Sequence, residues 1–278
     1  VERKINKNIS NTATVIFTLF EMFIILEIIF MFVPKSHNFD LTLASKLWFA
    51  KYWAPINSLG FRDHEYDNKF PVILFAGDSF TAGHGLKSVE DRFSNIVEKE
   101  LNKKRKEITV INMGKIGLNS KDEYNMIKNF FYLTRIKPKA IILQYFANDI
   151  EYTDGIAFDY DIEKVIQTPL KPIIEGSYLV NYLYWLFPRN DINSKYIDFL
   201  DHLYKNHKIF SQHKNDLKLF LSYSNENSIQ LVVVVFPFLT DLDMSNAMYV
   251  NDIVNYFKKN KVPVINVSEL VKNISVTE

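Results

Sequence analysis

The residues with the clearest capacity for chemistry lie directly after a short apolar run in the first third of the chain. Gly77, Asp78 and Ser79 follow the run Val72–Ala76. A serine on the turn between a strand and a helix presents its hydroxyl among backbone N–H groups, and an activated hydroxyl there can attack an ester carbonyl. Gly77 would let the backbone turn tightly and let a substrate come close. A serine after a strand is also a common helix N-cap, so its position alone leaves both interpretations open.

Two further loops carry residues that can stabilise negative charge. Gly114 and Gly117 follow the second apolar run, and Asn148 and Asp149 follow the third. A glycine N–H and an asparagine amide can both donate to a developing oxyanion, which is usually the largest single contribution in this kind of catalysis. Each position alone is also typical of a turn or a cap. Because all of them follow successive apolar runs, together they predict an oxyanion hole around Ser79.

The elements that must position these residues begin at residue 71. Short apolar runs occupy residues 72–76, 108–111, 140–145, 230–236 and 262–266. Helical patterns occupy residues 90–104, 120–134 and 245–259. Near-continuous apolar strands that alternate with helices predict an α/β fold whose parallel sheet is covered on both faces. Ligands bind such sheets outside the carboxyl ends of the strands, where the residues above are expected.

The order of these motifs resembles one enzyme family. The chain resembles the SGNH hydrolases, also called the GDSL esterase/lipase family, through Gly77, Asp78, Ser79, Gly117, Asn148 and Asp149. The resemblance implies that Ser79 is the nucleophile and that the Gly117 N–H and the Asn148 amide serve the oxyanion hole. Gly114 is the second choice for the glycine donor.

The resemblance also implies a fold and marks one departure. It implies a flavodoxin-like three-layer α/β/α fold with a five-stranded parallel sheet. Residues 57–62, Asn-Ser-Leu-Gly-Phe-Arg, look like the membrane-anchored bacterial members. The family's glycine two places before the asparagine is Phe146 here, which would narrow the pocket without removing the amide donor.

The base that would activate Ser79 is missing from the pattern. The family places Asp-x-x-His after its last strand, where the histidine deprotonates the serine and the aspartate orients the histidine. No histidine of this chain has an aspartate three places before it: His37, His64, His84, His202, His207 and His213. Three explanations stay open. The block lies beyond Glu278, His84 serves instead, or the protein is a non-catalytic module that binds acylated glycan.

An apolar stretch near the N-terminus predicts a membrane anchor. Residues 13–33 would form a helix about 32 Å long, close to the thickness of the hydrocarbon layer. Pro34 ends the stretch, and three basic residues precede it: Arg3, Lys4 and Lys7. This flank predicts a cytoplasmic N-terminus and a single-pass protein whose catalytic domain is extracytoplasmic.

Two glutamates conflict with a simple span. Glu21 and Glu27 lie within the apolar stretch, and a carboxylate there is costly unless it pairs with another helix or is protonated. The alternative is a long buried helix of a soluble protein. The expected organisation is a stub and anchor over 1–34, a connector over 35–70 and an SGNH hydrolase-like domain over 71–278 with a helical insertion at 175–226.

Composition excludes several other classes of function. With 33 basic and 32 acidic residues, the chain has no field that would attract nucleic acid. Because it has no cysteine, disulfides, zinc–thiolate sites and thiol catalysis are excluded. No cluster of metal-ligating residues is apparent, and the loop 77–85 lacks the glycine spacing of nucleotide-binding loops. We therefore expect no metal and no cofactor.

These observations together predict a serine ester hydrolase. Its expected substrates are O-acyl esters of cell-envelope glycans or lipids, and its expected partners are that ester substrate and the membrane. An O-acyltransferase differs only in the acceptor, and no residue in the sequence separates the two activities. A serine without a base is a poor nucleophile at neutral pH, so residues 1–278 alone are expected to be inactive or nearly so.

Overall fold

Five short strands form one parallel sheet in the computed structural model, in the order β2-β1-β3-β4-β5. The structure describes residues 2–36, 42–158, 166, 168–187 and 190–272. The strands are β1 Val72–Ala76, β2 Thr109–Asn112, β3 Ala140–Tyr145, β4 Gln230–Val235 and β5 Val264–Asn266. This is the flavodoxin-like order, whose switch point lies between β1 and β3. The predicted α/β fold with a five-stranded parallel sheet is confirmed.

The strand bounds follow the apolar runs closely. β1 and β3 have the predicted bounds, whereas β2 extends to Asn112. β5 begins at Val264 rather than at residue 262. Pro263 precedes it, and a proline has no N–H to give to the ladder, although its carbonyl still accepts from Val233 at 3.0 Å.

Helices connect and cover the strands. The first half of the chain contains α1 Glu2–Phe30, α2 Leu43–Tyr52, α3 Ser79–Ala82, α4 Phe93–Leu101 and α5 Ser120–Thr134. The second half contains α6 Lys171–Gly176, α7 Tyr178–Leu186, α8 Asn190–Lys205, α9 His207–Glu226, α10 Leu242–Ser245, α11 Asn251–Lys259 and α12 Val267–Val271. Short 3-10 helices occupy Val89–Asp91 and Ala147–Ile150, and a π-helical turn occupies Asn246–Val250.

Local chemistry explains where the longer helices begin. α5 begins after Asn119, whose side chain accepts from the N–H groups of Lys121 and Asp122. α9 begins after Asn206, which accepts in the same way from Lys208 and Ile209. Such caps satisfy N–H groups that have no partner within the helix.

The core lies on both faces of the sheet. Successive residues of a strand point to opposite faces, and β2 is buried at every position while β3 is buried at five of six. The largest cluster of buried side chains joins the strands to α5, α9 and α11. Covering of both faces explains why the strands are near-continuous apolar runs rather than alternating ones.

The chain divides into two compact units. One unit comprises Val1–Tyr52 with Tyr160–Asn190, and the other comprises Trp53–Asp159 with Asp191–Glu278. The sheet lies in the second unit, while α6 and α7 lie in the first. The sequence did not indicate that residues 160–190 would group with the N-terminal helices. The predicted division at residues 34 and 70 stays a prediction, and residues 37–41 of the predicted connector lie outside the described residues.

Helix α1 contains the stretch expected to cross a membrane. Residues 11–30 have a mean hydropathy of 2.3, and no part of the tested window is buried. One helix of this length and composition near an N-terminus is weak evidence for a span, because signal sequences share both properties. The two glutamates differ: Glu21 is exposed, whereas Glu27 accepts hydrogen bonds from the start of α7. The expected pairing of a glutamate with another helix is therefore found at Glu27.

Candidate active site

Ser79 is the first residue of α3 and lies directly beyond the carboxyl end of β1. Asp78 caps this helix, and its carboxylate accepts from the Phe80 N–H at 2.9 Å. Ser79 is half-buried, and its hydroxyl has no hydrogen-bond partner among the described residues. The serine thus combines a structural place at the start of a helix with a hydroxyl that stays available.

Gly77 is required by the packing of neighbouring side chains. A Cβ at this position would overlap Thr81 Oγ1 and lie 2.5 Å from Gln144 Oε1. Gln144 accepts from the Thr81 hydroxyl at 2.9 Å and from the Asp78 N–H at 3.3 Å. The sequence predicted that Gly77 allows a tight turn and the approach of a substrate. In the structure, the side chains of Thr81 and Gln144 occupy the space beside Gly77.

The loop after β2 is fastened to α3. The Asn112 amide donates to Thr81 O at 2.7 Å, and its Oδ1 accepts from the Gly114 N–H at 2.9 Å. A Cβ on Gly114 would overlap the Ala82 backbone N and lie 2.7 Å from Ala82 Cα. Gly114 therefore allows the loop and α3 to approach each other, and its N–H is already engaged.

Gly117 has different properties. It is exposed, its φ is 77°, and a Cβ there would meet nothing within 4 Å. Its N–H makes no hydrogen bond to any described residue. The Gly117 N–H is thus available for another acceptor while that of Gly114 is engaged, and the role of Gly117 as the glycine donor stays a prediction.

Asn148 and Asp149 lie on the 3-10 turn after β3. Asp149 is buried and accepts from the Phe146 N–H at 2.9 Å, which shapes the turn. Asn148 is half-buried, and its amide counteracts the rise in the pKa of the Asp78 carboxyl. The Asn148 amide therefore lies near Asp78, the residue before Ser79.

The carboxyls at this edge of the sheet have raised pKa values. Burial raises the pKa of Asp78 to about 6, although a hydrogen bond from the Phe80 N–H and the nearby Asn148 and Gln144 side chains oppose the shift. Burial and the charge of Asp78 raise the pKa of Asp149 well above its usual range. Burial, Asp149 and Asp78 do the same to Glu123 of α5, which has no exposed surface.

Sequence reasoning missed Gln144 and Glu123. Gln144 stood out as a polar residue inside the apolar run of β3, and a buried polar side chain needs a partner. That signal was available in the sequence. Glu123 gave no signal, because acidic residues are ordinary in the first turn of a helix.

No described histidine makes a hydrogen bond to the Ser79 hydroxyl, and three of the rings have other contacts. His64 Nε2 lies 2.9 Å from Glu90 Oε1, and the His84 ring packs edge-on against Trp53, with a centroid distance of 6.4 Å. His213 is buried against Tyr145. His202 on α8 and His207 on α9 are exposed, and His37 lies outside the described residues.

Aromatic rings line the region beside Ser79. Phe80 is 43% exposed, and its ring lies 4.7 Å from Phe146 and 5.6 Å from Phe236. Phe146, which replaces the family's glycine, also packs 4.7 Å from Phe238. These rings form an apolar wall next to α3, the helix that begins at Ser79.

Comparisons with known proteins add structural similarities at low identity. No family model matches the chain, and no curated protein matches it. Among solved structures, AlinE4, described as an SGNH-hydrolase family esterase, is 15% identical over 75% of this chain and 82% of its own, with a TM-score of 0.45. TesA is 11% identical over 74% of this chain and 83% of its own, with a TM-score of 0.43. A catalytic mutant of Axe2, an acetylxylan esterase from Geobacillus stearothermophilus, is 12% identical over 73% of this chain and 81% of its own, with a TM-score of 0.42.

Proposed function

We propose that this chain is a serine ester hydrolase of the SGNH type, held at a membrane by α1, that acts on O-acyl esters of cell-envelope glycans or lipids. One observation carries the proposal. Ser79 begins α3 directly beyond the carboxyl end of β1 with a hydroxyl that no described residue binds, and the Asn148 amide acts on the carboxyl of the preceding residue, Asp78.

The chemistry follows from these positions. Ser79 Oγ attacks the ester carbonyl carbon, and the carbonyl oxygen becomes an oxyanion. The N–H groups of Ser79 and Gly117 and the Asn148 amide donate to it. An asparagine amide has two N–H donors, so one can bind Asp78 while the other binds the oxyanion. The alcohol leaves, and water then releases the acyl group from Ser79.

The attack on the ester needs a base for the serine proton. The His84 ring packs against Trp53, and the Ser79 hydroxyl makes no hydrogen bond to a described residue. We therefore place the base outside the described residues. Without its base Ser79 is a weak nucleophile, so only an activated ester with a good leaving group should react with it, and slowly.

This residual activity makes a direct test possible. The full chain in detergent micelles should hydrolyse an activated ester, p-nitrophenyl acetate, slowly but above the buffer rate. Ser79→Ala should remove that activity, and Asn148→Ala should lower it by about 10²–10³-fold. Ser58→Ala, in an exposed serine bonded to Glu65, is the matched control and should retain the full rate. Ester hydrolysis by Ser79→Ala at the rate of the unmodified chain would refute the assignment.

A non-catalytic module that binds acylated glycan is the second candidate. The unpartnered Ser79 hydroxyl favours it, because a serine without a base binds better than it reacts. Equilibrium binding of acetylated and deacetylated glycan oligosaccharides separates the two. Binding that prefers the acetylated form, together with no hydrolysis of any ester, would support the binding module over the enzyme.

A further inference from the structure

Glu27 joins the apolar helix α1 to the start of α7. Its carboxylate accepts from the Ser177 hydroxyl at 2.8 Å, the Tyr178 N–H at 2.6 Å and the Leu179 N–H at 3.1 Å. The two N–H groups belong to the first turn of α7, where N–H groups have no acceptor within their own helix. Glu27 lies one turn before α1 ends at Phe30, so α7 begins beside the C-terminal end of the apolar stretch.

Tyr182, one turn further along α7, also contacts the C-terminal end of α1. Its ring lies 4.8 Å from the Phe30 ring, and Lys35 Nζ lies 5.5 Å from its centroid. Tyrosine, tryptophan and lysine concentrate where a membrane span meets water. The contact between Tyr182, Phe30 and Lys35 therefore has the composition of a membrane boundary, at the place where α1 ends.

Helix α7 has one face buried and one face exposed. Asn181 is buried and binds Leu43 N through its Oδ1 and Ile174 O through its amide, both at 3.0 Å. Trp185, four residues later, packs with Ile174. α7 contains no charged side chain.

The opposite face of α7 is apolar. Leu183 is 44% exposed and Phe187 is 69% exposed, and with Leu186 they have the spacing of one helical face. Two more exposed apolar side chains precede them in the same segment, Leu170 and Ile173. The exposed apolar face formed by Leu183, Leu186 and Phe187 is of the kind that marks a site for a membrane or a partner.

We propose that residues 168–187 form an interfacial membrane segment. Their exposed apolar side chains enter the boundary between headgroups and acyl chains of the bilayer that α1 crosses. The lipid is favoured as occupant because α1 is apolar and exposed along its length, and the surface of α7 continues from the end of α1 through Glu27, Phe30 and Tyr182. The inference rests on α1 as the membrane span of the proposed function, and it is independent of the ester chemistry.

The chain has no cysteine, so single cysteines can be labelled cleanly with an NBD fluorophore. Leu183→Cys and Phe187→Cys test the segment, Phe20→Cys reports on α1, and Leu133→Cys on the exposed surface of α5 is the control in water. The full chain is placed in vesicles of phosphatidylcholine and phosphatidylglycerol. Quenching is measured with aqueous iodide, with a nitroxide near the lipid headgroup and with a nitroxide near the acyl-chain end.

Labels at 183 and 187 should be protected from iodide several-fold relative to 133 and quenched best by the headgroup nitroxide. The label at 20 should be quenched best by the chain-end nitroxide. Iodide access at 183 and 187 equal to that at 133, with 20 still in lipid, would overturn the segment and leave the span intact. Protection at 183 and 187 without quenching by either lipid would also overturn it, since a protein would then cover the face. Iodide access at 20 would overturn both the segment and the span.

A second pair of variants tests the link through Glu27. Glu27→Ala removes the acceptor of three hydrogen bonds and should raise iodide access at 183 and 187 several-fold without moving the label at 20. Glu21→Ala, in an exposed glutamate of the same helix, should leave all labels unchanged. Equal effects of the two substitutions would overturn the role of Glu27.

Discussion

Acidification should remove a contribution that the neutral His213 ring makes to the stability of the sheet-containing unit. The ring is fully buried, and its Nε2 lies 2.8 Å from the Tyr145 hydroxyl, which also bonds to the Tyr204 hydroxyl at 2.7 Å. Tyr204 in turn donates to the carbonyl of Ala147, the residue before Asn148, at 3.0 Å. Burial, with a smaller effect of the Lys214 charge, lowers the pKa of His213 from 6.5 to about 3.

The sign and size of this change in stability follow from proton linkage. In the folded state the ring stays neutral, while in the unfolded state it binds a proton below pH 6.5, so acid favours the unfolded state. The stabilisation is fully present above pH 6.5 and is lost progressively as the pH falls toward 3. At about 1.4 kcal/mol per pKa unit, the contribution of His213 that is lost between pH 7 and pH 5 is about 2 kcal/mol. For a unit of this size that contribution corresponds to about 4–8 °C in Tm, and the raised pKa of Asp78 acts in the opposite direction.

The measurement compares thermal unfolding of the full chain in micelles at pH 7 and pH 5, followed by near-ultraviolet circular dichroism. His213→Gln cannot take up the proton, so its Tm should fall less on acidification than that of the unmodified chain, by about 4–8 °C. His202→Gln, in an exposed ring on α8, should behave like the unmodified chain. The same Tm change on acidification in all three proteins would refute the reasoning.

Two further predictions concern the site. Gly114→Ala should lower the free energy of unfolding by about 3 kcal/mol, because its Cβ would meet the backbone of Ala82. Gly117→Ala should lower it by only about 1 kcal/mol, from the left-handed φ alone. Chemical denaturation measures both, and equal losses would contradict the packing role of Gly114. Asp78→Asn should make Tm rise more steeply with pH between about 4 and 6. Burial raises the pKa of Asp78 from 3.8 to about 6, so the folded state binds an extra proton in that range, and the contribution of Asp78 to stability falls as the pH rises and offsets that of His213. An unchanged slope in the variant would show that Asp78 does not titrate there.

The sequence determined the sheet and the order of the candidate site residues. Short apolar runs are visible because both faces of a parallel strand are buried, and that pattern depends only on local residue types. The positions of Ser79, Gly117 and Asn148 after the carboxyl ends of strands could be predicted, because position after an apolar run is a local property. Their roles in catalysis stay predictions.

Only the tertiary structure decided what each residue touches. Gly114 and Gly117 look equivalent in the sequence, yet one packs against α3 and the other is open, because the approach of a distant backbone distinguishes them. Likewise, Glu27 and Ser177 are 150 residues apart, so no local pattern could reveal that this glutamate caps α7. The burial of His213 depends on the rings of Tyr145 and Tyr204 brought from other elements. Contacts between residues far apart in sequence arise from packing, and packing is what the apolar pattern leaves undetermined.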